Sequence, residues 1–421
     1  MATYQKPKGT LDFYGLEAMK IHYVQNEIRN VIENFGYNEI ITPIFENTEV
    51  FLRLGDESDV VNKEMYTFND KGNRSITLRP EGTAAVCRSY LENKIYANPG
   101  ITKFFYNGPM FRYERPGTGR YRQFTQFGVE VFGLSEPLLD CDVIYTAYSI
   151  FKRLGISNIK LVINSIGDFK SRSNYAKALQ EYFSDKIDTM CPDCKRRLET
   201  NPMRILDCKV DKEHPALVNA PKIKDYLSDE SKEYFSKVLN GLDALGVPYA
   251  CDDNLVRGLD YYTDTVFEFI IDSNDALNGL AICAGGKYSE LVKSMNGPDV
   301  PGIGYAFGIE RIIGVMDSLG LFASLGKEFD ATILALDYES KVQSLVIANQ
   351  LRLAGLKVDL DYKNMSMKQQ FKLCDRNNSR FILILGEDER LNNMITVKDK
   401  INNTQEKIKL EDLENYIKGN K

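Results

Sequence analysis

Tryptophan is absent from this chain of 421 residues, and histidine occurs only twice, at His22 and His214. His22 falls within an amphipathic segment, which is typical of a surface or interface residue. Enzymes use histidine for general acid–base chemistry more often than any other side chain, so this scarcity disfavours such chemistry. A catalytic triad with a histidine base is excluded on the same ground.

Long apolar runs are also lacking. No stretch approaches the ~20 apolar residues of a membrane-spanning helix, and residues 1–9 carry no apolar region of a secretory signal. With eight cysteines in the chain and no sign of export, we expect reduced thiols and a cytoplasmic location. The net charge of −6 argues against a general polyanion binder, although residues 103–123 are locally basic and suit a phosphate contact.

The order of patterns along the chain predicts an α+β fold with two or three domains. A helical pattern at 17–35 precedes short strands predicted at 37–42 and 75–78. Two aromatic-rich segments at 101–112 and 123–132, around a basic, glycine-containing turn, predict a hairpin with a long loop. Helical, polar sequence then interrupts this predicted antiparallel sheet. After Leu319, strands predicted at 331–336, 358–360 and 381–385 alternate with helices. The predicted domains are a core at 1–167 and 247–325, a helical insertion at 168–246 and an α/β domain at 329–421.

One predicted strand has an unusual face. Period two places Phe124, Gln126, Gly128, Glu130 and Phe132 on one side of it, while the other side is mostly apolar and predicts core. An aromatic ring, an amide and a carboxylate on one face suit a pocket floor. A solvated sheet face is the alternative.

Two segments would let a ligand approach the backbone closely. The turn after Glu114 contains two glycines and three arginines, which suit phosphate, although a flexible hairpin tip with surface charge is the alternative. The segment GIGYAFGIER at 302–311 has glycine at alternate positions, which removes side chains from one face. It is not the dinucleotide-binding fingerprint, because Phe307 stands where a third glycine would be needed.

These segments resemble the motifs of class II aminoacyl-tRNA synthetases. FRYERP at 111–116 with RYRQF at 120–124 resembles motif 2, and GIGYAFGIER resembles motif 3. The helix at 17–35, the strand after it and Pro43 resemble motif 1, the dimerisation element. RGLDYYT at 257–263 resembles a signature of histidyl-tRNA synthetases, and LRPEGT at 78–83 fits the same family. The resemblance covers essentially the whole chain, and the C-terminal part is similar to the family's anticodon-binding domain.

The resemblance implies a class II antiparallel catalytic sheet and a ligase that activates L-histidine with ATP, releasing pyrophosphate. The histidyl group would then pass to the 3′ end of tRNA(His). It also implies a homodimer, and Mg²⁺ held mainly by the ATP phosphates. Histidine would be bound by Glu81, Thr83, Gln126, Glu130, Tyr261 and Tyr262. ATP would be bound by Arg112, Glu114, Arg120, Phe124, Gly304 and Arg311, with Arg112 and Arg257 as the catalytic arginines at the α-phosphate.

By the same resemblance, the histidine-binding residues divide into two groups. Glu81, Thr83 and Gln126 form one group, which would accept hydrogen bonds from the substrate α-ammonium. In the other, Glu130 and Tyr262 each bind one nitrogen of the imidazole, and Tyr261 packs beside the ring. An analogue that lacks either nitrogen would leave a buried polar group unpaired, so such a site discriminates strongly.

Three other functions compete with this interpretation. A catalytically silent paralogue could serve as a regulatory subunit of histidine biosynthesis, but such paralogues lack the anticodon domain and parts of these motifs. A pure tRNA-binding module would not need Phe124, Arg311 and the glycine strand arranged for ATP. Another class II specificity, for threonine or proline, is disfavoured by the pair Glu130 and Tyr262.

A cysteine cluster lies within the predicted insertion. The spacing of Cys191, Cys194, Cys208 and His214 would suit a Cys₃His zinc site. The family does not in general require zinc, so free thiols are the alternative. Basic residues around the cluster would suit contact with a tRNA acceptor stem, and a solvated helix face is the alternative there.

Overall fold

The computed structural model describes residues 4–53, 60–117, 119–208, 210–256, 261–326, 328–363 and 365–420. The chain divides into two compact units, Met1–Phe322 and Ala323–Lys421. Among the described residues, no helix has the length and apolar character needed to cross a membrane.

The first unit is built on an eight-stranded sheet with the order β1-β5-β6-β11-β10-β9-β7-β8. Neighbouring strands are antiparallel from β5 to β7, and the two edge strands pair in parallel. A three-stranded sheet, β2-β4-β3, accompanies it. The strands are β1 (Asn38–Glu39), β2 (Phe45–Asn47), β3 (Tyr66–Asn69), β4 (Ser75–Leu78), β5 (Thr102–Phe111), β6 (Gln123–Phe132), β7 (Ile159–Ser165), β8 (Tyr249–Cys251), β9 (Tyr262–Ile271), β10 (Ala281–Tyr288) and β11 (Gly302–Gly308).

Helices of the first unit pack on this sheet and on each other. α1 packs against α4 and α10, and Lys20 of α1 forms an ion pair with Asp317 of α10 at 2.7 Å. The helices are α1 (Leu16–Asn34), α2 (Glu49–Leu52), α3 (Thr83–Glu92), α4 (Pro137–Arg153), α5 (Phe169–Phe183), α6 (Pro192–Thr200), α7 (Pro215–Val218), α8 (Asp229–Leu245), α9 (Leu291–Ser294) and α10 (Ile309–Ser318). A π-helical turn at Val60–Glu64 and 3₁₀ turns at Ile95–Ala97, Ile187–Thr189, Pro202–Ile205 and Ile223–Asp225 complete the unit.

Local signals explain where the helical insertion begins and ends. The side chain of Asp168 caps α5 by accepting from Ser171 N at 2.7 Å, and the side chain of Ser228 caps α8 in the same way. Gly246 ends α8 in the left-handed conformation with φ 67°, which suits glycine because it has no Cβ. Helical, polar sequence therefore lies between β7 and β8, as the sequence pattern predicts.

The second unit is a five-stranded sheet with the order β13-β12-β14-β15-β16. β12 pairs in parallel with β13 and β14, whereas β14, β15 and β16 are antiparallel. The C-terminal hairpin of β15 and β16 was not predicted from the sequence. The elements are β12 (Ala331–Ala335), α11 (Tyr338–Leu353), β13 (Val358–Leu360), α12 (Met367–Arg376), β14 (Phe381–Leu385), α13 (Glu387–Leu391), β15 (Met394–Asp399), β16 (Thr404–Lys409) and α14 (Leu413–Gly419).

The overall architecture confirms the predicted α+β class. One element is much shorter than predicted: the strand expected over residues 37–42 is reduced to β1. Its pairing with β5 ends as Ile40 N donates to Phe105 O at 2.8 Å. Ile41 then lies 84% exposed, and Pro43, which has no N–H to donate, follows.

Candidate active site

A cavity of about 530 Å³ opens over β5, β6, β10 and β11. It brings together every predicted histidine- and ATP-binding residue that the structure describes. Arg257 lies outside the described residues. The predicted residues in the cavity wall are Glu81, Thr83, Arg112, Glu114, Arg120, Phe124, Gln126, Glu130, Tyr261, Tyr262, Gly304 and Arg311.

Glu81 is a buried acid at the start of α3. Its carboxylate accepts hydrogen bonds from the backbone N–H groups of Thr83 at 2.6 Å and Ala84 at 2.8 Å. Burial raises the pKa of Glu81, and these N–H donors oppose that rise. The carboxylate is therefore fixed in position by the first turn of a helix.

Glu130 is the second buried acid, with only 1% of its surface exposed. One carboxylate oxygen accepts from the Tyr288 hydroxyl at 2.6 Å, and the other accepts from Thr83 Oγ1 at 2.7 Å. Burial raises the pKa of Glu130 to about 8, against the lowering effect of these two hydroxyls, and the nearby Glu81 charge adds to the rise. A cationic or N–H-bearing ligand would relieve this electrostatic cost.

An amide and two tyrosines complete this end of the cavity. Gln126 Oε1 is buried and has no hydrogen-bond partner within the described part of the chain. The rings of Tyr261 and Tyr262 lie 4.6 Å apart between centroids, and Tyr261 meets Tyr288 edge-on at 5.6 Å. A buried acceptor beside two buried carboxylates makes this end suited to a ligand that donates hydrogen bonds.

Arginine side chains give another part of the cavity wall a positive charge. Arg112 Nε donates to Pro80 O at 2.8 Å, and Arg311 Nη1 donates to Ala281 O at 2.8 Å. Burial lowers the pKa of Arg311, and the like charges of Arg120 and Arg112 lower it further. Three guanidinium groups that repel one another in one cavity create a site for an anion.

Further side-chain contacts surround these arginines. The Arg112 guanidinium lies 5.4 Å from the centroid of Phe124, a cation–π distance. Arg120 is 3.8 Å from the Glu114 carboxylate. The carboxylate of Glu310 accepts from Thr125 N at 2.8 Å, which ties the first turn of α10 to β6 beside Arg311.

Two glycines of the motif 3 strand accommodate side chains of the protein itself. A Cβ at Gly304 would collide with the Glu130 carboxylate, and a Cβ at Gly302 would collide with the Tyr288 ring. The sequence interpretation assigned these glycines to close approach of a flat ligand. In the structure, Gly302 and Gly304 instead make room for the acid and for the tyrosine that binds it.

Sequence reasoning missed Tyr106 and Tyr288, which both line the cavity. The Tyr106 hydroxyl lies 3.5 Å from Glu130 Oε1. Tyr106 could have been found, because alternation along β5 places it on the same face as Arg112, a predicted ATP-binding residue just after the strand. Tyr288 gave no signal, because it reaches Glu130 only through the pairing of β10 with β11.

The cysteine cluster departs from the predicted ligand set. The ligand atoms of Cys191, Cys194, Cys208 and Asp211 lie within 4.8 Å of one another. His214 is not in this group, because its Nδ1 accepts from Ala216 N at 3.2 Å and caps α7. The expected Cys₃His set is thus corrected to three cysteines and one aspartate.

The antiparallel sheet and its cavity, bounded by the motif 2 and motif 3 segments, have the architecture of a class II aminoacyl-tRNA synthetase catalytic domain. The family profile described as histidyl-tRNA synthetase matches residues 9–312, and the anticodon binding domain profile matches residues 330–420. The chain therefore belongs to the histidyl-tRNA synthetase family, whose members are ligases.

Individual relatives agree with this membership. The chain is 48% identical over 414 residues to the histidine–tRNA ligase of Staphylococcus haemolyticus, covering 98% of each chain. It is 45% identical over 417 residues to that of a Geobacillus species, covering 99% of each. Apo histidyl-tRNA synthetase of S. aureus matches the structure with a TM-score of 0.85 and 41% identity, over 99% of this chain and 100% of that one. These full-length relatives do not favour the regulatory-subunit alternative.

Proposed function

We propose that the cavity activates L-histidine with ATP and then transfers the histidyl group to tRNA(His). The observation that carries this proposal is the division of one cavity into two ends. Glu81 and Glu130, both hydrogen-bonded to Thr83, make one end acidic and hydrogen-bond accepting, whereas Arg112, Arg120 and Arg311, whose charges act on one another, make the other end cationic. An amino acid with a basic ring fits the first end, and a triphosphate fits the second.

At the acidic end, Glu81, Thr83 and Gln126 bind the α-ammonium of histidine. The unpartnered Gln126 Oε1 supports this assignment, because a buried acceptor gains a donor when the ammonium enters. Glu130 and Tyr262 take the two imidazole nitrogens, and Tyr261 packs beside the ring. No protein nucleophile is needed, because the substrate carboxylate itself attacks the α-phosphorus.

At the cationic end, Arg112 and Arg257 screen the negative charges of the attacking carboxylate and the α-phosphate and hold them in line. Arg120 binds the γ-phosphate, Glu114 the adenine edge, and Phe124 and Arg311 the two faces of adenine. Mg²⁺, when bound, neutralises phosphate charge. The carboxylates of Glu114 and Glu268 line the same cavity and are ligands of the type that Mg²⁺ prefers.

The remaining parts of the chain serve tRNA in this proposal. We propose a catalytic core at 1–167 and 247–325, an insertion at 168–246 that approaches the acceptor stem, and an anticodon-binding domain at 329–421. A cytoplasmic location follows from the substrates, ATP and tRNA. Aminoacylation of tRNA(His) with labelled histidine tests the function, with periodate-oxidised tRNA as the control that lacks an acceptor. Absence of charging by folded protein would contradict the proposal and favour a regulatory subunit.

We further propose that the protein is a homodimer formed through the motif 1 region. Ile41, Ile44 and Phe45 form an apolar group around Pro43 and are 84%, 45% and 54% exposed. Burial of apolar surface in a symmetric interface would stabilise a dimer by about 25 cal/mol per Å².

Replacing Ile41 by lysine is therefore expected to shift the protein from dimer to monomer in sedimentation velocity at micromolar concentration. A charge in a desolvated interface costs several kcal/mol. Ile401→Lys, at a position 70% exposed in the second unit, is the matched control and should remain dimeric. A wild-type protein that sediments as a monomer would refute the dimer.

Tyr288 is a positioning residue in this account, because it acts through Glu130. Tyr288→Phe keeps the ring but removes the hydroxyl that holds the carboxylate, so we expect the KM for histidine to rise about 5- to 10-fold, corresponding to about 1–1.4 kcal/mol. The hydroxyl lowers the pKa of Glu130, so its loss should raise that pKa. The pH at which the KM for histidine reaches its low plateau should consequently move upward.

The measurement is ATP–pyrophosphate exchange at varied histidine concentration from pH 6 to pH 9. Tyr96→Phe, at an exposed tyrosine outside the cavity, serves as the control. An equal rise in KM at every pH would show that Tyr288 only supports the fold.

A further inference from the structure

Four side chains of metal-ligand type converge in the insertion, away from the predicted substrate contacts. Cys191 Sγ and Cys208 Sγ are 3.6 Å apart, and Cys208 Sγ is 3.6 Å from Asp211 Oδ2. Ligand atoms bound tetrahedrally to zinc at about 2.0–2.3 Å are separated from one another by roughly 3.5–3.8 Å. These two separations match those of an assembled zinc site, and all four ligand atoms lie within 4.8 Å of one another.

Two short segments build this cluster. Cys191 immediately precedes α6 and Cys194 lies in its first turn, while Cys208 and Asp211 follow the 3₁₀ turn Pro202–Ile205. Backbone N–H groups support the ligand atoms: Asp211 N donates to Cys208 Sγ at 3.4 Å, and Cys191 N donates to Asp211 Oδ2 at 2.9 Å. Donors of this kind orient ligands and stabilise their negative charge.

Burial distinguishes the cluster from surface thiols. Cys194 is fully buried and Cys208 is 5% exposed. The arrangement thus gathers one carboxylate and three thiols around a single, partly buried point.

We infer that Cys191, Cys194, Cys208 and Asp211 bind one structural Zn²⁺. Binding Zn²⁺ releases three thiol protons and leaves a site of net charge −2. Three thiolates and one carboxylate in tetrahedral arrangement suit zinc better than Mg²⁺ or Ca²⁺, which prefer oxygen ligands. Four protein ligands leave no open position, so the ion is structural rather than catalytic.

The ion would connect the two segments of the insertion and fix the residue next to one ligand. Asp207 precedes Cys208 and lines the cavity of the candidate active site. Zinc would therefore order the part of the insertion that contributes Asp207 to that cavity. This inference is independent of the reaction assigned to the cavity.

Zinc content of the full-length protein tests the inference, measured by elemental analysis after purification without chelators. We expect about one zinc per chain, and a drop of at least tenfold in Cys208→Ser. His214→Gln and Cys251→Ser are the matched controls and should keep the full content, since His214 lies outside the cluster and Cys251 is an exposed thiol. Full zinc retention in Cys208→Ser would overturn the inference.

A second measurement needs no variant. Apo protein prepared under reducing conditions should take up one Co²⁺ per chain and develop thiolate-to-cobalt absorption bands, which Zn²⁺ then abolishes. Absence of these bands, or a Cys191–Cys208 disulfide detected by mass spectrometry in protein purified anaerobically, would equally contradict the zinc site.

Discussion

Glu130→Gln is expected to raise the KM for histidine about 100-fold while changing the KM for ATP less than threefold. Glu130 is buried among Thr83, Tyr106 and Tyr288, so its charge can interact strongly with a ring N–H of the substrate. A hydrogen bond to a charged group is worth about 1.5–3 kcal/mol, and 2.7 kcal/mol corresponds to a factor of 100. ATP–pyrophosphate exchange with each substrate varied separately measures both constants.

A loss of folding stability should not explain the higher KM for histidine of Glu130→Gln. Folding raises the pKa of Glu130 to about 8. The protonated acid therefore contributes to the free energy of unfolding. That contribution is complete below the ordinary pKa of a glutamate and is lost as pH rises through 8. The amide in Glu130→Gln is neutral at every pH, so the variant does not lose this stability. Its melting temperature at pH 7.5 should therefore not fall below that of the wild type. Glu49→Gln, at an exposed carboxylate, is the control. Equal changes in the KM values for histidine and ATP in Glu130→Gln would contradict the assignment of Glu130 to the imidazole.

Arg112→Ala is expected to lower the rate constant of histidine activation about 1,000-fold. Its guanidinium is held by Pro80 O and lies against Phe124, within the cationic end of the cavity. Loss of one preorganised donor to a developing charge typically costs 10²- to 10³-fold in rate, and here a full positive charge is lost between two anions. Pre-steady-state formation of histidyl-adenylate measures the step directly.

Arg74→Ala is the matched control for this prediction. Arg74 is exposed and pairs with Asp70 in a hairpin turn, so its removal should leave activation within twofold. A rate constant for Arg112→Ala close to wild type, with only ATP binding weakened, would show that Arg112 binds ATP without stabilising the transition state.

The sequence could predict those parts of the fold and site that local pattern determines. β4, β6, β13 and β14 have the predicted bounds, because alternation along a strand is a local property. The same alternation placed Phe124, Gln126 and Glu130 on one face, and all three line the cavity. The order of helical and strand patterns was also sufficient for the α+β class.

Features created by pairing between distant segments could not be predicted from one sequence. Tyr288 and Gly304 meet Glu130 because β10, β11 and β6 are neighbours in a particular register. Asp211 replaces His214 in the cysteine cluster because a turn after Cys208 directs its carboxylate inward while His214 caps α7. Ligand spacing alone favoured His214 and gave no sign of Asp211.

The central claim is that the cavity selects histidine for activation by ATP. Amino-acid-dependent ATP–pyrophosphate exchange with purified protein, screened across all twenty amino acids, tests it most directly. Exchange that depends on histidine alone is the predicted result. Exchange with another amino acid, or silence with every one from folded protein supplied with ATP and Mg²⁺, would contradict the account.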